Sequence, residues 1–305
     1  MNFRNLEKKF YSNGKLLLTG EYVVLDGATT LAIPTKYGQS LEVSASKKGG
    51  IHWKSFDEKG TVWFEDFFDL KNFESQNKKS EISKTVSKIL REAQKLNPDF
   101  LSKYEGIQVK TTLDFPRNWG LGSSSTLINN IAQWAEVDGF ALLANSFGGS
   151  GYDIAAAQND APILYEIKKG VPEFRKAHLS WDFTDSLFFV HLNEKQDSKE
   201  GIAHYRNALV KEKDIQRISD ISNKLLDCDS LSDFEKLMVA HEHIISEIID
   251  IAPIKEQFFS DYRGMIKSLG AWGGDFVLAT GAENDMDYFR KKGFETIIPF
   301  KGMIK

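Results

Sequence analysis

Apolar and polar positions change period several times along the chain, and each change marks an element. Lys15-Leu16-Leu17-Leu18-Thr19 is an apolar run of strand length, set off by the turn signal Asn13-Gly14. Residues 20–27 predict another short strand ending in a turn, and Leu31-Ala32-Ile33 a third, stopped by Pro34. Between residues 39 and 69 the period is two, with strands at 40–44, 51–53 and 61–64 and a hairpin turn at Gly49-Gly50. The period then lengthens. Ile82, Val86, Ile89, Leu90 and Ala93 lie at helical spacing over residues 80–96, and Pro98 closes that helix. Ile107-Gln108-Val109-Lys110-Thr111 returns to alternation and runs into a glycine-bearing loop.

The second half predicts helices at 126–136 and 140–147, a small-residue helix after Asp153, and a strand at 163–167. Leu187-Phe188-Phe189-Val190-His191-Leu192 is a buried strand. Helices follow at 215–226, 232–249 and 254–268, then a strand at 276–280, a short helix at 285–292 and a strand at 296–299. The pattern is α+β. We expect two domains, 1–182 and 183–305, divided just before the run at 187.

Composition narrows the function classes. The chain has 305 residues, 41% hydrophobic and 27% charged, as a globular protein does. A formal net charge of −4 offers no basic excess for nucleic acid. The single cysteine, Cys228, excludes an intrachain disulfide and a multi-cysteine metal site. No apolar run has the roughly 18 residues of a membrane span, and the charged start is unlike a signal peptide. A cytoplasmic protein with a small-molecule partner, and neither nucleic acid nor membrane, is the expectation.

Candidate chemistry centres on Pro116-Arg117-Asn118-Trp119-Gly120-Leu121-Gly122-Ser123-Ser124-Ser125-Thr126. Glycines that admit positive φ lead into hydroxyl residues and then a helix, whose N-terminus exposes N–H groups and a positive dipole end. That suits a phosphate, and equally an ordinary capped helix. The loop is not a Walker A sequence, for no Gly-Lys-Ser/Thr closes it, nor a Rossmann fingerprint, nor a nucleophile elbow. Lys15 and Glu21 are charges in apolar surroundings, either paired or held at a reacting centre. Asp153 follows Gly148-Gly149-Ser150-Gly151-Tyr152, as an N-cap or as a carboxylate aimed into a site. Ser198 and Lys199 lie in a polar loop read as a solvated turn or a binding loop. His241-Glu242-His243 is not a metal signature, because residues two apart on a helix face apart. Lys267 precedes the glycine-rich run 270–274, which reads as a hairpin turn or a phosphate rim.

Four of these segments, in this order, resemble the GHMP kinases, the superfamily that includes galactokinase, homoserine kinase, mevalonate kinase and phosphomevalonate kinase. Residues 14–28, with Gly20-Glu21-Tyr22, resemble the first motif of the mevalonate and phosphomevalonate branch. Residues 116–125 resemble the phosphate loop Pro-x-x-x-Gly-Leu-Gly-Ser-Ser. Residues 149–153 resemble the catalytic-aspartate segment, in a Gly-Tyr-Asp-Ile-Ala subgroup, and residues 270–275 resemble the third motif. The resemblance implies a two-domain fold, with an N-terminal ribosomal protein S5 domain 2-like part and a C-terminal ferredoxin-like part. It implies an ATP-dependent kinase using Mg²⁺, with mevalonate or phosphomevalonate as acceptor. Homoserine, a sugar, or a non-catalytic nucleotide-binding role on the same fold are the alternatives.

By that resemblance Gly120, Leu121, Gly122, Ser123 and Ser125 wrap the ATP phosphates, and Ser124 ligates Mg²⁺. Asp153 is the general base, Lys15 its cationic neighbour, and Gly270, Gly273 and Gly274 close over the phosphates. Glu21, Ser198 and Lys199 are implied substrate contacts. Two departures stand out. No glutamate lies between Glu136 and Asp153, where many members carry a metal ligand, and Trp272 stands where the third motif has a small residue.

Overall fold

The computed structural model describes residues 7–194, 198–272 and 274–305, and of residues 198–200 the backbone. The chain forms two compact units, each discontinuous in sequence. The first takes the chain up to Gly14, Tyr37–Arg117 and Gly122–Gln158; the second takes Lys15–Lys36, Asn118–Leu121 and Asn159–Lys305.

The first unit draws on β1 (Glu7–Leu17), β2 (Thr30–Ala45), β3 (Gly50–Phe56), β4 (Val62–Phe68), α1 (Glu81–Leu96) and β5 (Gly106–Leu113). The helices α2 (Ser123–Ala135), α3 (Gly139–Ser146) and α4 (Tyr152–Ala157) complete it. Its strands run in the order β4-β3-β5-β2, with β3 and β5 parallel and the other pairs antiparallel. The hairpin expected at Gly49-Gly50 therefore does not form, because β5 lies between β2 and β3. The return through α1 inserts β5 there, and Gly106 admits the crossing chain: a Cβ on it would overlap the Lys48 carbonyl oxygen. Ser80 caps α1 by accepting from Ser83 N–H at 3.2 Å. Val86, Ile89, Leu90 and Ala93 bury their stripe as the spacing predicts, but Ile82, in the first turn, is 38% exposed. The core joins Leu41, Val43, Trp53, Ile107 and Val109 of the strands to Ile128, Ile131, Leu142 and Ile154 of the helices. Each such side chain contributes roughly 1.5–3 kcal/mol on burial.

The second unit contains β6 (Ile163–Lys168), β7 (Val171–Lys176), β8 (Leu187–His191), α5 (Ser198–Tyr205), α6 (Glu212–Leu226) and α7 (Leu231–Ile249). It continues with α8 (Ile254–Phe258), β9 (Ile266–Ser268), β10 (Phe276–Thr280), α9 (Met286–Lys291), β11 (Ile297–Pro299) and α10 (Phe300–Met303). An antiparallel sheet has the order β11-β8-β10-β9. Every residue of β8 and β10 is buried, which explains their unbroken apolar runs. In this unit Thr30, Leu31 and Ala32 of β2 pair with β6.

Five sequence expectations change here. β1 runs unbroken through Asn13-Gly14, where a turn was expected, and β2 runs on through Pro34, which was expected to stop it. Residues 20–27 form no strand: Tyr22 is left-handed (φ 65°) and a 3₁₀ turn covers Val23–Asp26. The helix expected over 254–268 ends at Phe258. Met265 N–H bonds Thr280 Oγ1 (2.8 Å) and Thr280 N–H bonds the Met265 carbonyl (3.0 Å), which draws the chain into β9. Residues 171–176, read as a polar connection, form the exposed strand β7. Among the described residues no helix is long and apolar enough to cross a membrane.

Candidate functional site

In the first unit, α2 starts directly from Gly122, whose φ of 89° no other residue adopts readily. The four hydroxyls that follow divide in two. Ser125 Oγ donates to the Gly122 carbonyl (2.9 Å), and Thr126 Oγ1 contacts the Gly122 and Ser123 carbonyls and Gln39 Oε1. Both are buried. Ser123 is half-buried and Ser124 exposed, at a helix end suited to an anion. Asp153 is the second residue of α4, which packs against α2 and α3. Gly151 (φ 87°) sets the start of α4, and Asp153 Oδ1 accepts from Ile154 N–H at 3.1 Å. The acid is half-buried, and Ile154 beside it anchors the helix in the core.

Behind α2 lies a neutral polar network that the sequence did not signal. Asn130 Nδ2 donates to the Gln39 carbonyl, Ser12 Oγ to Asn130 Oδ1 and Asn129 Nδ2 to Ser12 Oγ, each at 2.8 Å. Gln158 Nε2 closes it on Asn129 Oδ1 at 2.9 Å. It ties the helix that carries Ser123 and Ser124 to β1, β2 and the end of α4.

In the second unit, Lys15 N–H bonds the Leu121 carbonyl and Lys15 Nζ the Gly120 carbonyl, both at 3.0 Å. The lysine is half-buried. Residues 118–121 are held from the other side too. His191 Nε2 meets the Asn118 carbonyl at 3.0 Å, and Trp119 packs edge-on against Phe276 with ring centroids 5.4 Å apart. Gly120 is left-handed (φ 65°), and a Cβ there would meet the Asp275 carboxyl group, which would have to move. That same carboxyl lies against Gly270, so Gly120, whose carbonyl accepts from Lys15, and Gly270 both abut Asp275. Gly274 is buried beside Asp275. Gly273 lies outside the described residues, as do the side chains of Ser198 and Lys199, whose backbone begins α5.

Glu21 and Lys267 prove to be partners. Lys267, fully buried, donates to Glu21 Oε1 at 2.6 Å and to the Ser268 carbonyl at 2.5 Å, and sits 3.4 Å from Glu242 Oε2. The phosphate-rim reading of Lys267 does not hold, since its ammonium is spent in the interior. Glu242 accepts Ser268 N–H (3.0 and 3.1 Å) and Ser268 Oγ. His241 is buried while His243 is exposed, as positions two apart on a helix require. His241 Nε2 accepts Gly20 N–H at 2.8 Å, which makes the ring neutral with its proton on Nδ1. Burial, then the Lys267 charge, hold His241 well below the usual imidazole range. Burial pushes the Glu21 carboxyl up to about 7 against the pull of Lys267, and raises Glu242 as well. The visible signal was a charged triplet inside an apolar helix; its partners, far off in sequence, were not visible.

Among the described residues no group of three or more His, Cys, Asp or Glu side chains forms a metal site. Magnesium prefers hard oxygen ligands and takes many of them from phosphates and water, so the exposed Ser124 hydroxyl fits as a single protein donor.

No protein-family model and no curated protein matches the sequence. Solved structures do match. Mevalonate kinase of Methanococcus jannaschii is 16% identical over 97% of this chain and 98% of its own, with a TM-score of 0.72. Phosphomevalonate kinase of Streptococcus pneumoniae, solved with phosphomevalonate and AMPPNP, is 12% identical over 95% and 99%, at 0.69. Galactokinase of Lactococcus lactis, solved with galactose, is 14% identical over 93% and 88%, at 0.64. The chain has the α+β fold of these GHMP kinases, as the order of its motifs led us to expect.

Proposed function

We propose that this chain is an ATP-dependent small-molecule kinase of the GHMP superfamily, transferring the γ-phosphoryl group to mevalonate or phosphomevalonate. The observation that carries the reading is Lys15 seated on the Gly120 carbonyl of a glycine loop that runs into α2 with Ser124 exposed. Phosphoryl transfer asks mainly for positioning and charge neutralisation, and these are the roles proposed for this set. In the proposed reaction the acceptor oxygen bonds the γ-phosphorus as the bond to the β,γ-bridging oxygen breaks, releasing ADP. Asp153 takes the proton when the acceptor is a hydroxyl. Lys15 and the N–H groups at the start of α2 hold the phosphates, and Ser124 would hold Mg²⁺, which neutralises phosphate charge when bound.

An ATP-consumption screen with mevalonate, phosphomevalonate, homoserine and sugars tests this. Turnover with one of the first two supports it; ATP binding without turnover on any acceptor overturns it in favour of a non-catalytic nucleotide binder. Asp153→Asn then separates the acceptors. With a hydroxyl acceptor kcat falls by about 100-fold or more, the usual worth of a general base. A phosphate acceptor needs no base, and the variant then keeps near-wild-type turnover.

A further inference from the structure

The charged cluster in the second unit is an unusual thing to bury. An unpaired ammonium in the interior costs several kcal/mol, and even a well-paired buried ion pair often contributes no net stability. Here the Lys267 ammonium reaches two carboxylates and a carbonyl, linking residues 246 positions apart. The cluster is also left open at its rim. Glu21 Oε2, His241 Nδ1 and the Nε1 of Trp272, whose ring centroid lies 5.8 Å from Lys267 Nζ, are buried and have no hydrogen-bond partner among the described residues. Each such atom costs about 1–3 kcal/mol. Stability alone is a poor account of this arrangement.

Its placement gives a better one. Consecutive residues of α7 hold two backbone segments: His241 takes the N–H of Gly20, and Glu242 takes the N–H and hydroxyl of Ser268. Lys267 joins the two carboxylates, so the grip on one segment is tied to the grip on the other. Both segments are at the point of leaving regular structure. Gly20 (φ 87°) and Tyr22 (φ 65°) are left-handed, and beyond β9 so are Gly270 (φ 66°), Trp272 (φ 51°) and Asp275 (φ 56°). Left-handed non-glycine residues persist where their surroundings over-determine them. The first segment continues from the strand bearing Lys15, and the second ends at Asp275, whose carboxyl abuts Gly120.

We infer that Glu21, His241, Glu242 and Lys267 form a positioning network that fixes the backbone of the first and third glycine-bearing segments for phosphoryl transfer. Glu21 acts in it through the backbone and does not touch the acceptor. This rests on the kinase reading above. The groups facing Glu21 are Lys267 from β9 and His241 and Glu242 from α7.

The test compares the full-length wild type with Glu21→Gln and with the neutral triple variant Glu21→Gln, Glu242→Gln, Lys267→Met. The triple variant removes every charge in the cluster, which proteins often tolerate without loss of stability. Its kcat is expected to fall about 100-fold, the effect of misplacing reacting groups by an ångström. KM for ATP and for the acceptor should each stay within about threefold. Glu21→Gln, nearly isosteric, folds where the triple variant does not; it should lose a limb of the kcat–pH profile near neutrality that the wild type shows. A loss confined to the acceptor's KM would make Glu21 a substrate contact and overturn the inference, as would a wild-type kcat in both variants. Hydrogen–deuterium exchange needs no turnover and separates the two readings. Faster exchange in both residues 19–26 and 266–276 of the variants, with 187–191 unchanged, supports the network even when no acceptor is phosphorylated. Unchanged exchange in both, with wild-type turnover intact, overturns the network and leaves the kinase reading standing.

Discussion

The two units bury polar groups in opposite ways. In the first, Ser12, Asn129, Asn130 and Gln158 are neutral and satisfy one another and the Gln39 carbonyl at 2.8–2.9 Å. In the second, Glu21, Glu242 and Lys267 are ionisable, and the cluster leaves three polar atoms without partners among the described residues. Amides donate and accept, so a few of them can close a network on themselves. An ammonium only donates and a carboxylate only accepts, so their network closes only where the numbers match. The first arrangement serves as rigid support beneath α2. The second holds backbone in place at the cost of a proton that titrates near neutrality.

The largest break in this comparison comes from removing Lys267 alone. Lys267→Met leaves two buried carboxylates without their cation, and urea unfolding should show a loss of about 3–5 kcal/mol. The neutral triple variant should recover most of it; failure to recover would mean that packing of the lysine stem, not charge balance, is what matters.

A subtler break is in pH. The folded chain holds the Glu21 proton up to about 7, against an ordinary value of 4.5. Between those values the folded state keeps a proton that the unfolded state has lost, so this group's contribution to stability falls as pH rises and is level above 7. Relative to Glu21→Gln, the wild type should therefore lose stability between pH 5 and pH 8, by at most about 3 kcal/mol. Urea titrations of both proteins at the two pH values measure it, and a difference that does not move with pH would contradict the assignment.

The smallest expected effect is on the neutral side. Asn130→Ala strips partners from Ser12 and the Gln39 carbonyl and should cost about 2 kcal/mol, as unmade buried hydrogen bonds do. This cost should be the same at pH 5 and pH 8, since none of these groups titrates there. A pH-dependent cost would erase the contrast between the units.

What the sequence revealed follows the range of the interactions involved. The strand, glycine loop and helix of residues 107–135 were legible because each signal is local: alternation, Gly120 and Gly122, then hydroxyls ahead of an apolar helix. The division of hydroxyls into buried Ser125 and Thr126 and outer Ser123 and Ser124 was not, since it depends on how α2 rotates over the Gln39 side chain. Glu21 was recognisable as an embedded charge, but its partner lies 246 residues away in a segment whose apolar pattern read as helix. Five residues, Met265 to Leu269, are too few to tell strand from helix by period. The hairpin at Gly49-Gly50 failed for a related reason, because local turn chemistry carries no information about a strand inserted from elsewhere.

The pairing of Glu21 with Lys267 also bears on how this protein is made. A chain emerging from the ribosome presents Lys15–Lys36 and Asn118–Leu121 long before the rest of their unit, Asn159–Lys305, has been synthesised. Until α7 and β9 arrive, the turn at Gly20 has neither its histidine nor its ammonium. The first motif is thus translated well before α7 and β9 and is fixed only once they have arrived. A product truncated before residue 241 would carry the glycine loop and Asp153 yet lack every group that anchors that turn from α7 and β9.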